Sequence, residues 1–171
     1  CINVLLAGFH NVGKTTMLKR LTGSEAEIAS YPFTTKRMNV GYFEKKYITF
    51  QVIDTPGLLD KSLTKMNNIE RKTIVALKHA THIAAFIIDP SSQCGFTIEE
   101  QMQLFNEMKK AFDKEFVIVV NKADVATKEQ IDVVLAEFPN ASIDRDGLQL
   151  KEAIEQCFEK NKKKFTTQAQ F

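Results

Sequence analysis

The stretch that decides the fold is Gly8-Phe9-His10-Asn11-Val12-Gly13-Lys14-Thr15, which has the pattern G-x-x-x-x-G-K-[ST]. The apolar run at residues 2–7 precedes it and is typical of a buried parallel strand. Apolar residues at helical spacing follow it, over residues 17–21. Strand, glycine loop and helix together predict a loop whose backbone N–H groups bind a chain of phosphates.

Two side chains in this loop carry the chemistry that the pattern predicts. Lys14 would place a fixed cation near the β- and γ-phosphates of a nucleotide, and the Thr15 hydroxyl would bind Mg²⁺. Val12, Gly13 and Thr16 complete the predicted nucleotide-binding loop. The alternative is a tight strand–helix turn beside a lysine, and the flanking strand and helix favour phosphate binding.

The composition is that of an ordinary globular chain, with 171 residues, 44% hydrophobic and 26% charged. The length suits one domain with a real core, and a net charge of +2 does not indicate nucleic-acid binding through bulk charge. Cys1, Cys94 and Cys157 form no metal-ligand spacing and indicate a reducing compartment. No apolar run is long enough to span a bilayer. We expect a cytoplasmic monomer that does not associate with a membrane. We also expect the chain to be a fragment, because it begins without Met and directly in its first strand.

Predicted strands alternate with predicted helices along the chain. Residues 39–43 and 47–53 are joined by three residues only, so they should pair as an antiparallel hairpin. Buried strands are expected at residues 83–89 and 116–120, a weak strand at 139–143, and helices at 69–78, 98–112, 128–138 and 148–158. The connection at residues 24–38 is mostly polar. We predict a three-layer α/β fold with about six strands, mostly parallel with one antiparallel strand, and helices on both faces.

Three further stretches bear on chemistry. Asp54 ends a strand in Asp54-Thr55-Pro56-Gly57, where its carboxylate would hold Mg²⁺ and the Gly57 N–H would bind a γ-phosphate. In Asn121-Lys122-Ala123-Asp124, the aspartate would accept two hydrogen bonds from guanine, which adenine cannot offer. Asn121 would brace that loop and the Lys122 stem would lie on the base. In the pair Thr34-Thr35, we expect Thr35 to bind Mg²⁺ when a γ-phosphate is present, and a polar loop residue is the alternative.

These elements occur once each, in the order found in P-loop GTPases, and each functional stretch falls at a predicted strand end. The segments 31–36 and 52–60 together with residues 11–14 resemble the Obg-like GTPases. The stretch Asp89-Pro90-Ser91-Ser92-Gln93-Cys94-Gly95-Phe96 is similar to one typical of the nucleolar GTP-binding protein family and its archaeal relatives. The resemblance covers residues 2–158, and we place the GTPase domain at residues 1–160 and a polar basic tail or linker at 161–171.

The resemblance implies a GTP-hydrolysing switch in assembly of the large ribosomal subunit, cytoplasmic or, in a eukaryote, nucleolar. Its partners would be GTP or GDP and, partly through regions outside this fragment, the rRNA and proteins of the subunit precursor. Two alternatives stay open: an Obg-like GTPase of translation or stress control, and a GTP-dependent docking module with negligible turnover.

Several details depart from the family pattern or remain open. The family usually has proline where His10 stands, and the pair that supports guanine near the last strand is represented by Ala141-Ser142, followed by Ile143. Leu58 follows Gly57, where many GTPases carry a glutamine that orients water. Catalysis is therefore expected from Lys14, Thr35, Gly57 and Asn11. Asn11 either braces the loop or holds K⁺ against the phosphates, so K⁺ is a second candidate cofactor beside Mg²⁺.

Overall fold

The computed structural model describes residues 1–23, 26–30 and 36–168. These ranges contain seven strands and five helices, with a short 3₁₀ turn at Leu63–Lys65, and strands alternate with helices except that β2, β3 and β4 are consecutive. The strands are β1 (Ile2–Ala7), β2 (Glu27–Ser30), β3 (Arg37–Lys45), β4 (Ile48–Asp54), β5 (Ile83–Ile88), β6 (Glu115–Val120) and β7 (Ser142–Ile143). The helices are α1 (Lys14–Thr22), α2 (Asn68–Ala80), α3 (Ile98–Phe112), α4 (Lys128–Glu137) and α5 (Leu148–Gln168).

The strands form one sheet in the order β2-β3-β4-β1-β5-β6-β7. Strand β3 runs antiparallel to both of its neighbours, and the other four pairings are parallel. The predicted α/β sheet with one antiparallel strand is confirmed, with seven strands in place of about six. The predicted hairpin is also confirmed, since β3 and β4 pair from Lys45 and Ile48 through Asn39 and Asp54.

Helices cover both faces of the sheet. Every residue of β5 is buried, which requires cover above and below that strand. Helices α1 and α5 contact each other and reach β4 and β6 respectively. Helix α3 packs on β5, where Phe86 meets Phe105 edge to face at 5.4 Å between ring centroids. The three layers follow from the apolar stripes of the helices meeting strands that are apolar on both sides.

Helix starts follow their local sequences. Asn67, Thr97 and Thr127 each cap a helix and each forms a reciprocal capping box with the Glu or Gln three residues on. Helix α3 has the bounds that the periodicity of its apolar residues predicts.

Two expectations from the sequence are wrong. The connection at residues 24–38 was expected to be irregular, but it contains β2 and the first two residues of β3. Strand β2 is mostly exposed and has no apolar alternation, so only its pairing with β3 defines it. The polar tail expected from residue 161 instead continues α5 to Gln168, because Phe165 is buried against Phe158 and His82.

Candidate functional site

The glycine loop joins the end of β1 to the start of α1. Gly8 has φ 139° and a Cβ there would lie 2.6 Å from the Ile87 carbonyl oxygen. Gly13 has φ 110°, and a Cβ there would lie 2.3 Å from Nδ2 of Asn121. Both positions therefore need glycine, for backbone conformation and for space. Residues 14–16 open α1 and line a cavity beside the loop, and the backbone N–H groups of a helix N-terminus favour anions.

Lys14 is buried beneath this loop, with 7% of its surface exposed. Its ammonium donates to the carbonyls of Gly8 at 2.8 Å and Phe9 at 2.9 Å. Burial lowers the pKa of Lys14, and the nearby charges of Asp54 and Asp60 oppose that shift. A desolvated ammonium interacts strongly with any anion that enters the cleft.

Asp54 ends β4 beside the loop and is fully buried. Its Oδ2 accepts from the Thr15 hydroxyl at 2.8 Å and from the Asn39 amide at 3.3 Å. Its Oδ1 has no hydrogen-bond partner among the described residues. A buried carboxylate oxygen without a donor is costly, and a hard cation held by Asp54 and Thr15 would satisfy it. Across the described ranges no group of three or more His, Cys, Asp or Glu residues could hold a metal ion.

The base end of the cleft is tied directly to the phosphate end. Asn121 is buried, and its side-chain amide donates to the Val12 carbonyl at 2.9 Å. The Lys122 ammonium donates to the Asn11 carbonyl at 2.6 Å. Lys122 has φ 57° and Asn11 has φ 64°, so both loops turn sharply where they meet. Residues 109 to 111 apart in sequence thus fix the separation of the two loops.

Two cavities share Gly13, Thr16 and Lys122 and so form one continuous cleft. The phosphate end has a volume of about 550 Å³ and the base end about 740 Å³. Asp124 is exposed and lines the base end, where a carboxylate acceptor could meet a base. The cleft lies at the carboxyl ends of the parallel strands, the usual ligand position in open α/β sheets.

The structure separates the residues expected to support guanine after β7. Ile143 lines the base end of the cleft. Ala141 and Ser142 line a different groove, between β6 and α5. Thr34 and Thr35 lie outside the described residues. The remaining predicted residues of both loops lie at or directly beneath the cleft.

Sequence reasoning missed the residues that shape the cleft loops from below. Asp89 is fully buried and accepts from Ser91 and from the Cys94 N–H, and its Oδ2 lies 3.5 Å from the Lys122 ammonium. Asp144 is also buried and accepts from the N–H groups of Gly147 and Leu150. An aspartate at a strand end followed by serine or glycine is a turn signature that could have revealed both.

Comparison with known proteins decides the family. A family model described as "50S ribosome-binding GTPase" matches residues 3–122. The chain belongs to this GTPase family. The nucleotide-binding loop, the strand-end aspartate and the first part of the base loop all lie inside the matched segment.

Relatives of this GTPase include two kinds of longer protein. An uncharacterized protein of Methanocaldococcus jannaschii is 48% identical over 128 residues, covering 75% of this chain and 35% of that protein. Nucleolar GTP-binding protein 1 of Eremothecium gossypii is 40% identical over 148 residues, covering 86% of this chain and 23% of that protein. The GTPase therefore spans only a quarter to a third of these relatives.

A solved structure supports the same family assignment. The crystal structure of a nucleolar GTP-binding protein 1 from Plasmodium falciparum superposes with a TM-score of 0.76 at 33% identity. The match covers 96% of this GTPase and 89% of that chain. Within the described ranges, no helix of the GTPase is both long and apolar enough to cross a membrane.

Proposed function

We propose that this chain is the G domain of a magnesium-dependent GTP hydrolase that acts as a switch in assembly of the large ribosomal subunit. The observation that carries the nucleotide chemistry is the buried Asp54 carboxylate. One of its oxygens is bonded to Thr15 and the other lacks a partner among the described residues, at the phosphate end of the cleft. This is a donor set for Mg²⁺ that a triphosphate would complete.

Each proposed residue has a distinct part in binding. Thr15, Asp54 and Thr35 would hold Mg²⁺, which when bound neutralises charge on the phosphate oxygens. Lys14 would exchange its bonds to the loop carbonyls for phosphate oxygens, and Gly57 would donate its N–H to the γ-phosphate. The backbone of residues 11–16 would surround the α- and β-phosphates.

Guanine would occupy the base end. Asp124 would accept from the base, the Lys122 stem would lie against its face, and Asn121 would keep both loops in register. Of the three residues proposed after β7, Ile143 has a position that can contact the base. Ala141 and Ser142 line the groove between β6 and α5, so a contact from either residue to the base would require β7 to move.

Two measurements test this function. Steady release of phosphate over many turnovers, with GTP and Mg²⁺, is expected of an enzyme, whereas GTP binding without turnover would make the protein a docking module. The names of the nucleolar relatives and of the family support the ribosomal pathway. Co-sedimentation of the full-length protein with large-subunit precursors is expected, and its absence would favour translation or stress control.

We propose a second cation site at Asn11. Its positive φ turns the loop at this point, its carbonyl is held by Lys122, and the residue lines the phosphate end. The side-chain oxygen of Asn11 could hold K⁺ against the phosphates, in the role that an arginine finger fills elsewhere. We expect faster turnover in K⁺ than in Na⁺ or a bulky organic cation at equal ionic strength, and no such difference in Asn11→Ala. Equal rates in all three salts would leave Asn11 as a brace of the loop.

A further inference from the structure

The side chains that follow Gly57 decide what can contact a water molecule beside the γ-phosphate. Leu58 and Leu59 are 1% and 0% exposed, and the Leu58 N–H donates to the Thr55 carbonyl at 3.1 Å. Leu58 is thus packed in the core and cannot orient water, although it stands where many GTPases carry glutamine. Asp60 is the first residue after Gly57 whose side chain can form hydrogen bonds.

Asp60 lies at the phosphate end of the cleft. Its carboxylate is 13% exposed, and Oδ2 accepts from the Gly57 N–H at 3.0 Å. The same oxygen lies 3.9 Å from Nδ1 of His10, which also lines the cleft. Asp54 and Asp60 are the two carboxylates that line this cavity within the described residues. Asp54 faces Thr15 and Asn39, so Asp60 is the carboxylate left to meet a water molecule.

The contact between Gly57 and Asp60 occupies the N–H that the proposed function gives to the γ-phosphate. A γ-phosphate oxygen and a carboxylate cannot share this donor without strong repulsion, because both are anions. When the phosphate takes the N–H, repulsion between the two anions would move the carboxylate away from it. Both oxygens of the carboxylate would then be available as acceptors at the phosphate end of the cleft, which His10 also lines.

We propose that Asp60 is a catalytic residue that orients the attacking water, and that His10 positions its carboxylate. This inference rests on the proposed GTP hydrolysis. The water oxygen forms a bond to the γ-phosphorus while the bond from that phosphorus to the β,γ-bridging oxygen breaks. The electron pair of the broken bond stays on GDP, and the proton from water ends on inorganic phosphate. Asp60 accepts a hydrogen bond from the water during the attack and is unchanged afterwards.

The test compares turnover with binding in Asp60→Asn. The asparagine oxygen can still accept from the Gly57 N–H, so the turn is kept while the negative charge is lost. We expect kcat for GTP to fall by about 10²-fold or more, the usual range for such a group. Affinity for a non-hydrolysable GTP analogue should stay equal or rise, because a competing anion has been removed. His10→Ala should lower kcat by a smaller factor.

Two further variants make the result specific. Asp113→Asn removes a carboxylate at the end of α3, on a residue with φ 41° that asparagine tolerates well, and it should keep the wild-type rate. Gln93 also lines the phosphate end, has a side chain that can accept a hydrogen bond, and has no role in the proposed function. Gln93→Ala removes that acceptor. A larger loss of kcat in Gln93→Ala than in Asp60→Asn would overturn the proposal.

The outcomes separate this inference from the function on which it rests. Wild-type protein that binds GTP without turnover would overturn both. Wild-type turnover with an unchanged kcat in Asp60→Asn would overturn the role of Asp60 alone. Loss of analogue binding in Asp60→Asn, with kcat at saturation unchanged, would make Asp60 a structural residue of the turn.

Discussion

At the scale of single residues, nucleotide choice is assigned to Asp124. The Asp124→Asn change replaces a double acceptor by a group with one acceptor and one donor. Guanine would then face a mismatched polar group, which costs about 1–3 kcal/mol, or about 5- to 150-fold in affinity. Xanthine should gain, because its C2 oxygen can accept from the new amide.

The measurement is the dissociation constant of each protein for GTP, ATP and XTP. Asp132→Asn, an exposed residue of α4, is the matched control and should bind all three as wild type does. The assignment would be wrong if the wild type bound ATP as well as GTP, or if Asp124→Asn kept its preference for GTP.

At the scale of elements, Glu70 joins the start of α2 to Lys36, just before β3, and to Lys61, in the loop that follows β4. Its Oε1 accepts from the ammonium groups of Lys36 at 2.8 Å and Lys61 at 2.7 Å, and its Oε2 caps α2 at Asn67. Bonds from the two lysines hold the pKa of Glu70 at about 2, below its ordinary value of 4.5. Lys36 also donates to the Gly57 carbonyl at 3.3 Å, so this cluster braces the loop that contains Gly57.

A lowered pKa in the folded state fixes the direction of the pH effect. The stability that Glu70 contributes should be complete above about pH 4.5 and should be lost as the pH falls towards 2. The free energy of unfolding of wild type should therefore exceed that of Glu70→Gln at pH 6, by a smaller margin at pH 3, and the two should converge near pH 2. Glu99→Gln, an exposed residue of α3, serves as the control. A gap that persists unchanged at pH 3 would contradict the ion pairs.

A second prediction at this scale concerns the C-terminal turns of α5. Phe165 is 2% exposed and its ring lies 6.2 Å from that of Phe158 and 5.8 Å from that of His82. Phe165→Ala should lower the free energy of unfolding by about 3–5 kcal/mol, as for other buried phenylalanines. The neighbouring exposed Thr166→Ala should change it by less than about 0.5 kcal/mol. Denaturant unfolding of both variants checks this, and equal small effects would mean that the last turns do not belong to the core.

At the scale of the whole molecule, nucleotide binding should stabilise the fold selectively. A ligand that binds only the folded state at 100 times its dissociation constant adds about 2.7 kcal/mol. For a chain of this length that corresponds to a rise in Tm of about 5–10 °C. GDP and GTP with Mg²⁺ should give this rise and ATP should not. Equal shifts with ATP would show that the base end does not select guanine.

Much of this architecture could be predicted from the sequence because strong local patterns agree with it. Strand β5 and helix α3 have uninterrupted apolar patterns, and the glycine loop fixes the strand and helix that flank it. Strand β2 could not be predicted, since its exposed side chains carry no alternation and only the pairing with β3 makes it a strand. The end of α5 was missed because Phe165 follows three lysines, which hide that it continues the apolar stripe from Phe158.

One part of the candidate site could likewise be predicted from the sequence, and another part could not. The phosphate and base loops could be predicted because their side chains are spaced for one ligand. The contact from Asp89 to Lys122 depends on how two separate loops fold together, and no local pattern encodes its distance. The bond from the Gly57 N–H to Asp60 spans only three residues, but its geometry depends on a turn that the sequence alone did not predict.

The bonds from Asn121 to Val12 and from Lys122 to Asn11 have a consequence for how quickly and how selectively a ligand is accepted. Because these loops are already joined to each other, the distance between the site for the phosphates and the site for the base is set before a ligand binds. A ligand that fits this length does not have to order the two loops, so little entropy is lost on their account when it enters. The two loops therefore do not rearrange to accommodate a nucleotide with the wrong base. The full energetic cost of the mismatched base then appears as a loss of affinity.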